Sequence, residues 1–399
     1  MWINRLLRES VVEACATRPA LLVGGARQTG KSSLLRRILP DVEYVTLDRV
    51  ALAAEAEESP SRFLDRFKRQ VILDEIQYAP ALFRELKIRI DADRQAYGRW
   101  ILTGSQRFQL MAGISESLAG RIGLLQLETL AAKELRDSGH FVKDEIETCL
   151  WRGGYPELWA NSKLRPQMFY EDYIQTYLER DLKALVRVSN IRDFQRFIQI
   201  CATRAGQLLN LTDMAKDIGV SAKTIKSWIG ALEASGIVYL LPPYFANVGK
   251  RLAKSPKLYF SDNGLLAHLL NITNRQAYER TPTNGQIWEN LVFTEIIKTL
   301  DVQPGRNLFF YRDQNAVEMD FVIELGGRLF LIEAKSGERV DSRKLNFQKV
   351  AKLFPSLQPQ CLLMCSTPEE TPVHLAEYAV VNPLLHNLDS EINEGKNPT

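Results

Sequence analysis

The sequence predicts an α/β protein that begins with a parallel-sheet P-loop domain and continues into a helical and winged-helix module and a C-terminal α/β domain. Three observations lead to this prediction. An apolar strand runs directly into a glycine-rich loop and a helix at residues 21–37. Short apolar strands then alternate with helical patterns up to about residue 135, which is typical of a parallel sheet. Further on, two apolar strands joined by Gly326 and Gly327 predict a second sheet.

The first of these elements is a phosphate-binding loop of the form Gly-x-x-x-x-Gly-Lys-Ser. Its glycines let backbone N–H groups turn toward phosphate oxygens, and the following helix directs its positive end at the same anion. Lys31 is predicted to reach the β- and γ-phosphates of ATP, and the Ser32 hydroxyl to ligate Mg²⁺. The alternative is a glycine-rich turn with an incidental lysine, but the strand before it and the helix after it favour a nucleotide site. The predicted nucleotide-binding residues are Gly25, Ala26, Arg27, Gln28, Thr29, Gly30, Lys31, Ser32 and Ser33.

The next apolar strand, residues 70–73, ends in two carboxylates, Asp74 and Glu75. The carboxyl ends of parallel strands are where α/β proteins bind ligands. Asp74 is therefore predicted to hold Mg²⁺ through its water shell, and Glu75 to act as the base that orients and deprotonates the attacking water. A strand cap at a turn is the alternative, and the P-loop some forty residues earlier makes the catalytic interpretation more specific.

A further strand, beginning near Arg99, ends in small polar residues. Either Thr103 or Ser105 is predicted to hydrogen-bond the attacking water or the γ-phosphate, and the sequence does not decide between the two hydroxyls. Arg121 is a candidate arginine finger that would stabilise transition-state charge on a neighbouring subunit's nucleotide. An ordinary surface arginine is the alternative for this residue.

Composition fits a water-soluble protein of two or three domains. The chain has 399 residues, of which 45% are hydrophobic and 25% charged, and its net charge is +3. The net charge does not point to nucleic acid, so any such surface must come from local clustering. The five scattered cysteines form no metal-binding pattern and suit a reducing compartment. No stretch approaches eighteen apolar residues, so we expect a cytoplasmic protein without a membrane partner.

Changes in hydrophobic period predict the domain boundaries. A helical region follows the P-loop domain, and the aromatic residues in its clearest stretch recur at the spacing of a buried helix face. The predicted segments are a P-loop domain at 1–135, a helical connector or lid at 136–205, a winged helix-turn-helix at 206–270, a C-terminal domain at 280–386 and a flexible tail at 387–399.

Residues 206–262 carry a helix-turn-helix pattern. One short amphipathic helix and a glycine turn at Gly219 precede a second helix that Ser221 is expected to cap. Two strands would follow as a wing, at residues 236–241 and 257–260. Basic residues with interleaved aromatic side chains suit contact with a phosphate backbone, although the second helix lacks the arginine or asparagine that base reading favours. The alternative is a module used for packing, as an ATPase lid, or for protein contacts. The predicted DNA-contacting residues are Lys223, Lys226, Lys250, Arg251 and Lys254, and the other basic and aromatic residues of the wing are Lys257, Tyr244, Phe245, Tyr259 and Phe260.

A second candidate site lies near the C-terminus. The Gly-Gly turn should pair two strands so that Asp320 and Glu333 become neighbours, and Glu333 and Lys335 should share one face of their strand. Two carboxylates and a lysine on one face suit a divalent ion beside a scissile phosphate, with Glu289 adding a carboxylate from a packed helix. The alternative is an exposed Glu/Lys pair, but these charges interrupt an apolar strand, where unpaired charges are costly.

Together these motifs resemble the bacterial and archaeal AAA+ ATPases that carry a C-terminal domain of uncharacterised function, assigned to the restriction-endonuclease-like, PD-(D/E)xK group. The resemblance extends from Arg5 to about residue 385. It implies an AAA+ core with ATP bound by the P-loop, a winged helix, and a nuclease-like domain at 280–386. Besides the P-loop, the matching motifs lie at residues 73–77, 102–105, 117–121, 153–156, 176–181, 288–290, 318–321 and 332–335.

The sequence therefore predicts a cytoplasmic, oligomeric ATPase that uses ATP and Mg²⁺ to act on DNA, with weak sequence preference and a branched substrate among the candidates. Whether the C-terminal domain cuts DNA with Mg²⁺ or Mn²⁺ stays open. The main alternative is a nucleotide-switched regulatory or defence protein whose nuclease-like domain only binds DNA or a protein partner. A third reading is an ATPase whose partner is a protein contacted by the winged helix.

Overall fold

The computed structural model describes residues 2–105, 110, 117–139, 147–178, 191–244, 255–338 and 340–393. The chain forms two compact units. The first consists of Trp2–Glu128 with Ala234–Gly236, and the second of Thr129–Glu233 with Ile237–Thr399. None of the helices within the described ranges is long and apolar enough to span a membrane. The finer domain boundaries near residues 135, 205 and 270–280 stay predictions.

The first unit is built on a five-stranded parallel sheet with the order β2-β3-β4-β1-β5. This confirms the predicted parallel sheet. Its strands are β1 Ala20–Gly24, β2 Glu43–Thr46, β3 Val71–Asp74, β4 Trp100–Gly104 and β5 Ile122–Gln126. Its described helices are α1 Arg8–Thr17, α2 Lys31–Ile38, α3 Val50–Glu58, α4 Pro60–Asp65 and α5 Ala81–Ala92, with a 3₁₀ turn at Ile76–Tyr78.

Both faces of this sheet are covered by helices. Leu21 and Val23 of β1 pack in one apolar cluster with residues of α1 and α2. Leu22 of the same strand faces a second cluster that includes side chains from α3, α4 and α5. Successive strand residues point to opposite faces, so a strand buried on both faces reads as the unbroken apolar run seen in the sequence. Since β4 lies between β1 and β3, the P-loop, the end of β4 and the end of β3 meet at one edge.

The second unit begins with helices and a small antiparallel sheet. Its first helices are α6 Ala132–Asp137, α7 Cys149–Arg152, α8 Pro156–Ala160, α9 Pro166–Tyr173, α10 Ile191–Thr203, α11 Leu211–Ile218 and α12 Ala222–Ala234, with a π-helical turn at Ile174–Leu178. A two-stranded antiparallel sheet of β6 Val238–Leu241 and β7 Lys257–Phe260 follows. Helices α13 Asn263–Leu269, α14 Arg275–Arg280 and α15 Asn284–Thr299 come next.

Helices α11 and α12 form where the sequence predicted two helices around a glycine turn. The Asn210 side chain accepts hydrogen bonds from the first backbone N–H groups of α11. Gly219 ends that helix at φ 86°, a left-handed conformation that glycine adopts without steric cost. The Ser221 hydroxyl then accepts a 3.1 Å hydrogen bond from the Thr224 N–H and caps α12, as predicted. The apolar face of α12, including Ile225 and Trp228, is buried.

The C-terminal part of this unit is a six-stranded mixed sheet with the order β12-β13-β11-β10-β9-β8. Its strands are β8 Leu308–Arg312, β9 Glu318–Leu325, β10 Arg328–Lys335, β11 Gln360–Cys365, β12 Val373–His374 and β13 Ala379–Val381, with helices α16 Phe347–Ala351 and α17 Leu388–Asn393. The predicted Gly-Gly hairpin joins β9 and β10, and both of its glycines have positive φ.

The prediction of a flexible tail from residue 387 is wrong for residues 388–393. These residues form α17, in which Leu388 and Ile392 are buried. The two side chains are four residues apart and share one helix face, and their burial stabilises the helix despite its polar sequence. Arg328 also donates a 2.6 Å hydrogen bond to the Ile392 carbonyl. Residues 394–399 lie outside the described part of the chain.

Candidate nucleotide site and carboxylate cluster

The P-loop backbone needs glycine at two positions. Gly25 has φ 150°, and a Cβ atom there would lie 2.4 Å from the Leu127 carbonyl oxygen. Gly30 has φ 93° and immediately precedes α2. The loop therefore holds its shape only because these residues lack side chains.

The remaining loop residues differ in exposure. Thr29 is buried, and its hydroxyl donates a 3.0 Å hydrogen bond to the Ala26 carbonyl. Arg27 is half-buried, whereas Gln28 and Ser33 are exposed. Gln28 adopts a left-handed backbone at φ 60°. Their predicted contacts with nucleotide stay predictions.

Lys31 lies inside the loop, with only 5% of its surface exposed. Its ammonium donates hydrogen bonds of 3.0 Å to the Gly25 carbonyl and 2.8 Å to the Ala26 carbonyl. Burial lowers the pKa of Lys31 to about 8, although the negative charges of Glu75 and Asp74 partly oppose this effect. A buried ammonium that donates to carbonyl oxygens can donate to the oxygens of an anion instead.

Asp74 collects three hydroxyl groups at the edge of the sheet. Ser32 donates to its Oδ1 atom at 2.7 Å, and Thr103 donates to the same oxygen. The Tyr44 hydroxyl donates to Oδ2 at 2.6 Å. Burial, together with the hydrogen bond to Asp74, raises the pKa of Tyr44 to about 12. Ser32 and Asp74 thus place two oxygen atoms within hydrogen-bond distance of each other, and Mg²⁺ prefers oxygen ligands.

Glu75 has an unusual backbone conformation directly after Asp74. Its φ and ψ are 56° and 50°, in the left-handed region that non-glycine residues rarely enter. Its carboxylate accepts a 3.2 Å hydrogen bond from Ser105 and another from Gln77. Its backbone N–H donates to the Thr103 hydroxyl at 3.2 Å. Strained residues cluster at functional sites, and the hydrogen bonds here hold this carboxylate in one place.

Three residues of this site were not predicted from the sequence. Arg5 donates hydrogen bonds of 2.8 Å to the Thr29 carbonyl and 2.6 Å to the Glu128 carbonyl, so it braces the P-loop from outside the motif. Tyr44 and Gln77 contact the two carboxylates. No local pattern marks Arg5 or Tyr44, because their partners are distant in the chain. Of these three residues, only Gln77 could have been found from the sequence, because it lies within the matched motif at residues 73–77.

Arg121 is held by an acidic residue of the same unit. Its guanidinium donates to both carboxylate oxygens of Asp91, at 2.8 and 2.9 Å. Hydrogen bonds from Arg121 and then Arg94 lower the pKa of Asp91 to about 2. The role of Arg121 as a finger stays a prediction, and the structure shows that this arginine has an intramolecular partner.

The carboxylates of the second candidate site come together as their strands and helix predicted. Lys335 contacts Glu333 at 2.6 Å and Asp320 at 3.5 Å. Glu289 belongs to the same cluster, because Lys257 lies near both Glu289 and Asp320. The sequence placed Lys257 in a DNA-binding wing, but its ammonium lies 2.9 Å from Glu289 and is 2% exposed. No group of three or more His, Cys, Asp or Glu side chains in the described residues is arranged to hold a metal ion.

The predicted DNA surface is only partly described. Lys223 and Lys226 are exposed on α12, whereas Lys250, Arg251, Lys254 and Phe245 lie outside the described residues. The expectation that the aromatic and basic residues of β7 and its neighbourhood face a phosphate backbone is wrong for four side chains. Packing against α15 and the C-terminal sheet buries these four side chains in the second unit. They are Tyr244, Lys257, Tyr259 and Phe260.

Comparison with known proteins agrees with this geometry. Residues 17–136, which contain the P-loop, Asp74 and Glu75, match the family model described as AAA domain. Two uncharacterized proteins, Rv2008c of Mycobacterium tuberculosis and Mb2031c of Mycobacterium bovis, are each 35% identical over 321 residues, covering 79% of this chain and 70% of the relative. The chain belongs to the same family as these two proteins, and it is an ATPase with an AAA domain.

The rest of this AAA-type ATPase matches models without a known function. Residues 143–276 match Domain of unknown function (DUF8612), and residues 284–384 match Domain of unknown function (DUF4143). Among solved structures, the Walker-type ATPase paby2304 of Pyrococcus abyssi is 16% identical, with 67% of this chain and 96% of that chain covered and a TM-score of 0.46. The Thermotoga maritima RuvB Holliday junction branch migration motor is 15% identical, with 63% and 95% covered and a TM-score of 0.30. Likeness at this level assigns no activity.

Proposed function

We propose that the ATPase site works with Glu75 as general base, Ser105 as the residue that orients it, and Thr103 as a positioning residue. The observation that carries this proposal is the hydrogen bond from Ser105 to the Glu75 carboxylate. Thr103 instead contacts Asp74 and the backbone of Glu75, so its hydroxyl is engaged in holding the two carboxylates. This division of roles separates the two hydroxyls that the sequence left equivalent.

The second part of the proposal concerns phosphate binding by the P-loop and Lys31. We propose that the backbone N–H groups of residues 25–33 cradle the phosphates and that Lys31 turns its ammonium from the loop carbonyls to the β- and γ-phosphates. Ser32 and Asp74 would hold Mg²⁺, which when bound neutralises phosphate charge during hydrolysis. Glu75 would then accept the proton of the attacking water while Ser105 and Gln77 keep its carboxylate oriented.

We further propose that the protein binds DNA through the exposed face of α12, within a winged-helix module formed by α11, α12, β6 and β7. None of the exposed positions of α12 is acidic, and the face combines two lysines with small side chains. These positions are Ala222, Lys223, Lys226, Ser227 and Gly230. A face of this kind lets a phosphate backbone approach closely and without sequence preference.

Gly230 supports the same proposal. It lies in the interior of α12, where glycine costs about 1 kcal/mol relative to alanine. Apart from the backbone of α12 itself, a Cβ atom added at Gly230 would meet no atom of the described residues within 4 Å. Packing among the described residues therefore does not require this glycine, and the missing side chain leaves room for a partner to approach the helix closely.

The test is binding to single-stranded, duplex and junction DNA by fluorescence anisotropy over a range of salt concentrations. Lys223→Ala and Lys226→Ala should each weaken binding and reduce the slope of log K against log salt by about 0.9 for duplex. Lys216→Ala, on the exposed face of α11, is the matched control. Binding that is insensitive to salt and to both substitutions would contradict the proposal.

Coupling between the sites is tested by ATP hydrolysis with and without DNA. We expect DNA to stimulate hydrolysis, and Lys31→Ala and Glu75→Gln to lower the rate of hydrolysis strongly both with and without DNA. A cytoplasmic homo-oligomer, in which Arg121 reaches a neighbouring subunit's nucleotide, belongs to the same proposal.

The second candidate is a nucleotide-switched regulatory protein whose C-terminal domain binds without cutting. The buried pairing of Lys257 with Glu289 favours it, since this pairing involves a carboxylate that cleavage would need.

A further inference from the structure

The first residue of β7, Lys257, places its ammonium among three carboxylates of the C-terminal part. The Nζ atom lies 2.6 Å from Glu318, 2.9 Å from Glu289 and 4.0 Å from Asp320. The side chain is 2% exposed. These pairings offset the cost of burying the ammonium, so the contacts are part of the folded core.

These carboxylates include residues that a metal-dependent nuclease site would use. Glu289 projects from α15, and Glu318 and Asp320 lie two residues apart on one face of β9. A divalent ion between them would need oxygen ligands at about 2.0–2.6 Å. The ammonium of Lys257 already lies within hydrogen-bond distance of two of the three, and its positive charge would repel a cation placed beside it.

Asp320 and Glu333 have further partners in the same cluster. Asp320 Oδ2 accepts a 2.8 Å hydrogen bond from the Ala334 N–H, and Lys335 lies 3.5 Å from the same oxygen. Glu333 accepts hydrogen bonds from Lys335 at 2.6 Å and from the Asn346 N–H at 3.2 Å. The charges of Asp320 and Glu333 are thus balanced from within the protein.

Lys257 is held in place by its strand and not by its own contacts alone. Phe260, at the other end of β7, exchanges two hydrogen bonds with the Asn290 side chain of α15, at 2.7 and 3.2 Å. Tyr259 stacks on Phe293 with ring centroids 4.4 Å apart and donates a 2.6 Å hydrogen bond to Glu289. Strand β7 therefore delivers the ammonium to a defined position against α15.

The same surroundings shift the pKa of Lys257. Burial lowers the pKa of Lys257, but the carboxylates of Glu289, Asp320 and Glu318 outweigh this effect, so its pKa is raised above the ordinary value.

We propose that the ammonium of Lys257 takes the place of the divalent ion, so that this cluster is an ion-pair lock between β7 and the C-terminal sheet and does not bind Mg²⁺ or Mn²⁺. The donor set does not fit a metal while Lys257 is present. The lock fastens the two-stranded sheet of the proposed winged helix to the nuclease-like part, and this part then serves as a binding scaffold.

The test is Mn²⁺ binding to the full-length, nucleotide-free protein, followed by electron paramagnetic resonance. Asp74→Asn is introduced throughout to remove the P-loop ion. We expect no bound ion that depends on Asp320 in this background, and a gain of one ion per chain when Lys257→Met is added. Met retains the length and apolar stem of the lysine, so we expect the variant to fold. Circular dichroism checks that it does. The gained ion should be lost again with Asp320→Asn.

Lys298→Met is the matched control, because Lys298 is also buried and lies 3.6 Å from a carboxylate, that of Glu295. It should bind no additional Mn²⁺. Mn²⁺ bound with Lys257 intact and lost in Asp320→Asn would overturn the proposal. A folded Lys257→Met variant that gains no ion would overturn the role assigned to Lys257. Both outcomes are distinguishable from failure of the DNA-binding proposal, since neither measurement contains DNA.

Discussion

The Ser32 hydroxyl donates a 2.7 Å hydrogen bond to the Asp74 carboxylate. This contact joins the first turn of α2 to the end of β3, two elements that are separated by 42 positions in the chain. It brings together the two side chains that the sequence assigned to Mg²⁺. Since both are oxygen donors, one bound ion can replace the hydrogen bond between them.

The network around Glu75 predicts different losses for its members. Glu75→Gln should lower kcat by about 10²–10⁴-fold, the range for loss of a general base, with ATP affinity retained. Ser105→Ala should lower kcat by less and leave KM nearly unchanged, since Ser105 acts by orienting Glu75. Steady-state kinetics and ATP binding by calorimetry measure these effects. Glu58→Gln, at an exposed glutamate of the same unit, is the control. If Ser105→Ala and the parent protein have the same kcat, Ser105 does not contribute to catalysis.

The lowered pKa of Lys31 predicts how ATP affinity depends on pH. The free ammonium loses its proton near pH 8, whereas bound phosphate favours the protonated form and raises this pKa. Affinity should therefore be constant just below pH 8 and fall by up to about tenfold per pH unit above it. Equilibrium binding between pH 7.5 and 10 measures the effect. Lys31→Arg removes the titrating group, so any affinity that this variant retains should not change over the range. A parent profile that stays flat to pH 10 would contradict the prediction.

The pairing of Arg121 with Asp91 allows the finger hypothesis to be tested. If Arg121 acts on a neighbouring subunit, Arg121→Ala should lower kcat by about 10³-fold or more. Asp91→Ala should retain activity, because it frees the arginine without removing it. The measurement is kcat as a function of protein concentration. Arg94→Ala, which removes the other arginine bound to Asp91, is the control. Small and equal effects of Arg121→Ala and Asp91→Ala would mean that the ion pair is only structural.

The contacts of Arg5 predict a role in supporting the P-loop. Arg5→Met removes the donors to the Thr29 and Glu128 carbonyls and leaves these acceptors in a buried setting. We expect a loss of about 2 kcal/mol in the free energy of unfolding, together with weaker ATP binding. Chemical denaturation and calorimetry measure the two effects. Arg8→Met, at an exposed arginine on the first turn of α1, should change neither. Unchanged ATP affinity in a destabilised Arg5→Met protein would limit Arg5 to a structural role.

The predictions from sequence succeeded where the signal is local. The glycine spacing of the P-loop can be recognised within a few residues of sequence, and Gly25 and Gly30 have positive φ. The strand that ends in Asp74 was recognisable because burial on both faces requires an unbroken apolar run. Helix α12 begins where Ser221 was expected to cap it.

The predictions failed where burial depends on distant parts of the chain. Tyr259 and Lys257 have the composition of an exposed wing, yet Phe293 and Glu289 of α15 cover them. Leu388 and Ile392 have a polar neighbourhood in sequence, but both are buried in the folded chain. Composition alone does not distinguish a basic side chain in solvent from one that neutralises buried carboxylates.

By itself, the sequence determined the P-loop, the Asp74-Glu75 pair and the hairpin that joins Asp320 to Glu333, because each depends on residues close in the chain. Only the tertiary structure decided that Ser105 contacts Glu75, that Asp91 holds Arg121 and that Lys257 lies among the carboxylates of the second site. The physical reason is that each of these contacts joins side chains about 30 or more residues apart. Their meeting depends on sheet order and helix packing, which no short sequence pattern encodes.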